Sequence, residues 1–189
     1  MTTAARRYDV LRLLDRFEPQ DSEDRALAEM LLLVADQADP FSRYSFEPGH
    51  FTASGWVLSP DGGSVLLVHH SRLDRWLQPG GHIDPEDASA VAAARREVAE
   101  ETGIELVSTA AELLDIDIHP IPSGKGEPHH RHFDLRFLFC AGDGKLNPAP
   151  DEVKAARWVP FADVAELSAE PSLLRMVDKA AGRGGRLSG

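Results

Sequence analysis

The run Arg96-Glu97-Val98-Ala99-Glu100-Glu101-Thr102-Gly103-Ile104, at the end of an alanine-rich stretch that begins near Asp87, constrains this chain more than any other feature. At about 100° per residue, a helix sets Glu97, Glu100 and Glu101 at about 0°, 300° and 40°, on one face. Val91, Ala94 and Val98 form an adjacent stripe that can pack on a sheet, and the small alanines let the helix sit close. Packing then aims the acidic face at one spot. Three carboxylates this near to each other repel, and raised pKa values or a bound cation relieve the repulsion. A hard divalent cation with oxygen ligands fits, and magnesium is commonly held by carboxylates together with substrate phosphates. Arg96 stands four residues before Glu100 and can pair with it, holding the acidic face in one arrangement. An isolated E-x-x-E-E is as a rule a solvated helix face. Here a Gly80-Gly81 loop precedes the helix and Gly103 stops it.

The flanking sequence predicts what that helix packs on. Residues 51–59 and 64–70 read as strands joined by the turn Asp61-Gly62-Gly63, a β-hairpin. Further strands are expected at 113–119, 133–140 and 155–159, and helices at 161–167 and 172–180. The alanine-rich helix itself is expected over 87–102, with Asp84-Pro85-Glu86-Asp87 as its start. Ahead of the strands, 6–17 and 22–38 carry helical apolar stripes separated by Glu18-Pro19-Gln20-Asp21, a helical hairpin. The expected division is an N-terminal helical extension over 1–45, a main domain over 46–181 and a flexible tail over 182–189.

Charge narrows the partners. With 31 Asp and Glu against 20 Lys and Arg, the formal charge is -11. Nucleic-acid polymers are therefore not expected, since binding them rests on neutralising phosphates with basic groups. A small anion can still bind where a metal ion or local basic groups reverse the field. The single cysteine, Cys140, permits neither an internal disulfide nor a multi-cysteine zinc site. Neither a secretory signal nor a bilayer-spanning apolar run is legible, so a cytoplasmic protein without membrane contact is expected.

The segment from Gly81 resembles the Nudix box, G-x5-E-x7-R-E-U-x-E-E-x-G-U, where U is aliphatic. Arg96, Glu97, Val98, Glu100, Glu101, Gly103 and Ile104 match its second half residue for residue. In the first half Asp87 replaces the usual Glu, and one extra residue lies between Asp87 and Arg96. An insertion there leaves the carboxylates unrotated, whereas one after Arg96 would swing them by about 100°. Trp76-Leu77-Gln78-Pro79-Gly80-Gly81 before the box and Arg157-Trp158-Val159-Pro160 after it extend the likeness. The resemblance implies an α/β fold, the Nudix α/β/α sandwich with a mixed β-sheet, preceded here by the helical hairpin.

It also implies hydrolysis of a diphosphate bond in a small nucleoside-diphosphate-linked substrate, with Mg2+ or Mn2+ as cofactor. By motif position Glu97, Glu100 and Glu101 look like metal ligands, with the Gly80 carbonyl as a further one. Glu97 and Arg96 join them in catalysis, Glu97 helping to activate water. Gly81, His82 and Asp87 would border the substrate. Outside the box, Glu152 stands where relatives recruit another carboxylate, though an exposed acidic turn explains Asp151 and Glu152 equally well. Arg75 could serve phosphates or solvate a loop. Arg131 lies in His129-His130-Arg131-His132, near Lys125. That cluster reads as a flexible loop, with phosphate contact or a separate transition-metal site as alternatives. Trp56 and Trp76 could stack on a base, but buried packing accounts for both. His69, His70 and His119 read as strand-edge residues. A family-like module that binds nucleotide without cutting it would be expected to lack some of the glutamates. The isopentenyl diphosphate isomerase branch would need Cys140 for its chemistry. A homodimer is expected from family habit and from the leftover apolar helix faces.

Overall fold

The computed structural model describes residues 2–20, 23–107, 111–124, 126–151 and 153–181. Side-chain alternation along strand β1 (Gly49–Leu58) divides the interior in two. Phe51, Ala53 and Val57 point to one face, and Trp56 and Leu58 to the other. β1 runs parallel to β6 (His130–Cys140) over its whole length, and β6 pairs antiparallel with β5 (Glu112–Ile121). On its other side, β1 pairs antiparallel with the short β4 (Gly80–His82) and meets β2 (Ser64–His70) only at Leu58↔Val65. The expected hairpin is therefore closed at its turn and then splays. β2 turns away to pair with β7 (Val153–Pro160) and β3 (Arg75–Leu77), completing a curled seven-stranded mixed sheet.

Three helices cover the first face: α1 (Thr3–Asp15), α2 (Asp24–Asp36) and α3 (Ala90–Thr102). Val10, Leu14, Met30 and Val34 share one core with Ala93, Ala94 and Val98 of α3 and with Phe133 to Phe139 of β6. The N-terminal hairpin is thus built into the main core. The second face is covered by α5 (Pro171–Ala181), whose Leu173, Met176 and Ala180 pack on Trp56, Leu67 and Leu138. A 3-10 turn over Phe161–Asp163 and the single turn α4 (Val164–Leu167) replace the expected helix over 161–167. Among the described residues no helix is long and apolar enough to cross a membrane.

Two elements depart from expectation near the acidic helix. Gly80–His82 is a strand and not a loop, because its backbone completes the edge of β1. The helix starts at Ala90 and not at Asp87, with Ser89 as N-cap accepting from the Ala92 N–H at 3.0 Å. Asp87 folds back instead: its carboxylate accepts from the Asp84 N–H at 2.8 Å, and its own N–H donates to the Asp84 carbonyl at 3.0 Å.

Candidate active site

α3 is held by Val98 and its alanines in the core and ends at Gly103, whose φ of 71° is the left-handed conformation that favours glycine. That fixed axis places the acidic face against β4. The Gly80 N–H donates to Glu101 Oε2 at 3.0 Å, and Glu101 is buried. Gly81 sits under Glu97 so closely that a Cβ there would lie 2.7 Å from Glu97 Oε1. Glu100 is half exposed. The three carboxylates and the β4 backbone make an oxygen-rich donor set, of the kind that suits a hard divalent cation.

Arg96 ties the loop to the helix. Its guanidinium grips both oxygens of Asp87 (3.1 and 2.9 Å) and donates to Glu97 at 3.0 Å, Glu100 at 2.8 Å and the His82 carbonyl at 2.9 Å. The hydrogen bonds that Arg96 donates to Asp87 raise the Arg96 pKa well above its ordinary value despite partial burial, and Glu97 and Glu100 add to the effect. Asp87 is itself buried and serves as Arg96's anchor.

The other sequence-predicted residues lie elsewhere. Arg75 on β3 pairs with Glu170, and Arg131 pairs with Glu29 of α2 while stacking over Phe133. Glu152, Lys125 and the tail over 182–189 fall outside the described residues. Trp56 is fully buried, and Trp76 is half-buried under Arg157, 4.5 Å from its ring. Burial raises the Cys140 thiol pKa. A hollow of ≈ 690 Å³ opens between α1 and β5, but Glu97, Glu100 and Glu101 do not line it.

The sequence reading missed a polar face on the opposite side of the sheet. Asp134 of β6 accepts from Thr52 (3.0 Å), Ser54 (2.8 Å), Gln78 (3.2 Å) and Arg136 (3.0 Å). His50, His82, His119, His130 and His132 gather beside it, with neighbouring ring centroids 4.9 to 5.5 Å apart. His130 to His132 are therefore strand residues, not a flexible loop. Burial lowers the His82 pKa to about 4, with the neighbouring His50 acting in the same direction, and burial lowers that of His50 as well.

A curled mixed sheet between helices, with an R-E-x-x-E-E helix folded back on a Gly-Gly strand, defines the Nudix class of α/β domain. The family model for the NUDIX domain matches residues 49–180, and the chain belongs to the Nudix family. A hydrolase of the NUDIX family from Clostridium perfringens is similar in structure: TM-score 0.52, 25% identity, 70% of this chain and 96% of that one. The NUDIX domain of Shewanella oneidensis NrtR, in complex with ADP ribose, shares the fold at TM-score 0.56 and 23% identity, over 70% of this chain and 86% of that one. Putative hydrolase 111R of Invertebrate iridescent virus 3 is 40% identical over 78 residues, spanning 41% of this chain and 43% of the viral protein. The match thus covers less than half the length of that relative.

Proposed function

We propose that this protein hydrolyses a diphosphate bond in a small nucleoside-diphosphate-linked or related substrate, in the cytoplasm and with Mg2+ or Mn2+. The observation that carries the reading is that Glu97 and Glu101 meet the Gly80-Gly81 strand, while Arg96 binds Glu97 and draws in Glu100 beside them. Glu97, Glu100, Glu101 and the Gly80 carbonyl would hold the divalent ion. When bound, it neutralises diphosphate charge and makes a water molecule more acidic. Glu97, steadied by Arg96, accepts a proton as the oxygen of that water bonds to phosphorus. The bond to the bridging oxygen breaks, and the departing phosphate leaves with the electron pair. Gly81 and the His82 backbone border the reacting group, and Asp87 supports it through Arg96. Arg75 and Arg131 would have to leave Glu170 and Glu29 to reach phosphate.

Hydrolysis of a panel of nucleoside diphosphate derivatives tests the reading, with magnesium, manganese or chelator present and products resolved by mass. Metal-dependent cleavage of at least one compound is expected. Tight binding of a compound without cleavage anywhere in the panel would move the assignment to a nucleotide-sensing module. A homodimer belongs to the same proposal. Tyr8, Leu11, Leu31 and Leu32 leave apolar surface on α1 and α2 exposed. Sedimentation at micromolar concentration should show a dimer, and monomer alone would refute it.

A further inference from the structure

Neighbouring residues of β4 serve opposite faces of the sheet. Gly81 faces Glu97, whereas His82 shares the face of its partner Thr52 and turns its imidazole away from α3. On that far face His50 stands directly opposite His132 in the β1–β6 register, and His130 lies two residues earlier on the same side. One ligand atom from each of His50, His130 and His132 lies within 4.8 Å of the others. His82 joins them, its ring centroid 5.2 Å from His50 and 5.3 Å from His132. His119 is close to His132 as well, but its Nδ1 is engaged by Asp117 at 3.2 Å.

The hydrogen bonds fix which nitrogens are available. His50 Nδ1 lies 3.1 Å from the Ser45 carbonyl, and His130 Nδ1 lies 2.8 Å from the Pro128 carbonyl. A carbonyl only accepts, so each Nδ1 carries the proton and each Nε2 keeps its lone pair. His50 is wholly buried, and among the described residues neither its Nε2 nor the buried Nε2 of His132 has a hydrogen-bond partner. Two unpartnered ring nitrogens buried in one cluster are costly unless something occupies them. Backbone carbonyls holding the far nitrogens of His50 and His130 are the support that metal-bound histidines use.

We propose that His50, His130 and His132, with His82 as the fourth donor, bind a borderline transition-metal ion of the zinc type. Imidazole nitrogens suit zinc, cobalt, nickel or copper, whereas magnesium takes oxygen ligands. The site is chemically and spatially distinct from the carboxylates on α3, and it stands whether or not the protein cleaves diphosphates. Zinc–nitrogen bonds of about 2.0–2.1 Å require the ligand atoms, now within 4.8 Å of one another, to draw closer together.

Cobalt(II) is the probe, because in a tetrahedral nitrogen site it absorbs visibly. The full chain is stripped with chelator, dialysed and titrated with Co2+, then with Zn2+ or Mg2+. Saturable visible bands are expected at a single equivalent, displaced by stoichiometric Zn2+ and unaffected by millimolar Mg2+. The double variant Glu97→Gln/Glu100→Gln should keep the bands. His130→Asn/His132→Asn should lose them and weaken zinc binding about 100-fold or more. Absence of the bands in the wild-type protein, their removal by Mg2+, or their loss in the glutamate variant alone would overturn the proposal. Should the histidine variant fail to fold by circular dichroism, the wild-type spectrum and its response to magnesium decide the matter.

Discussion

Arg96 illustrates how much of the site hangs on single contacts. It is charge-neutralised by carboxylates from both the 84–87 turn and α3, so its position reports the fit between loop and helix. Gly81 reports the same fit from the other side, because only the absence of a side chain leaves room for Glu97. Gly81→Ala should displace the Glu97 carboxylate and lower kcat on the order of 100-fold, with the unfolding temperature nearly unchanged. Glu101→Gln should cost about 10²–10³-fold in kcat while the fold is retained. Both are read from magnesium-dependent turnover alongside thermal melts. Near wild-type turnover in Glu101→Gln would remove Glu101 from the metal set.

At the scale of elements, α1 does more than extend the core. Arg6 donates to the Asp84 carbonyl at 2.9 Å and to the Pro85 carbonyl, and Asp9 is reached by the Ala90 N–H at the start of α3. The N-terminal helix therefore braces the turn that carries Asp87, Arg96's anchor. Arg6→Ala should destabilise the protein by about 1–3 kcal/mol and speed amide exchange over 84–89 while β6 stays protected. Unchanged exchange there would show that the turn stands without α1. This contact was not legible in the sequence, since nothing in Arg6 or Asp9 marks a partner nearly eighty residues away. The acidic face of α3 was legible, because helical period and chemistry coincide in one contiguous run. The start of α3 was misread: Asp84-Pro85 carries helix-start chemistry, but Asp87 spends its carboxylate on Asp84 and Arg96, leaving Ser89 as the cap. The histidine face was written only as period-two alternation, in His50-x-Thr52-x-Ser54 and His130-x-His132-x-Asp134-x-Arg136. That pattern reads equally as a strand with one wet side, until register brings the strands together.

Across the whole molecule, the second face holds a layer of buried ions between the sheet and α5. Arg136 contacts Asp134, Asp117 and Asp115; Arg175 grips Asp115 at 2.7 and 2.8 Å; Lys179 reaches Glu23 and Asp115. Burial alone would raise the Asp117 pKa, but Arg136, with His119 and Arg175, brings it down from 3.8 to about 2. A carboxylate with a depressed folded pKa contributes stability above its unfolded value, and that contribution is lost as pH falls through the folded value. Between about pH 4 and pH 2, Asp117 should therefore account for roughly 2 kcal/mol of lost stability. Urea midpoints across that range check it, and Asp117→Asn should flatten the decline; an unaltered slope would assign the acid sensitivity to other groups. The long parallel pairing of β1 with β6 has a consequence in time. The partner of Gly49 is Arg131, so during synthesis the apolar β1 waits for roughly eighty further residues before its neighbour exists. Until then the central strand of the sheet is a bare edge, and the nascent chain relies on α1, α2 and the ribosome's surroundings to keep it from pairing with another copy.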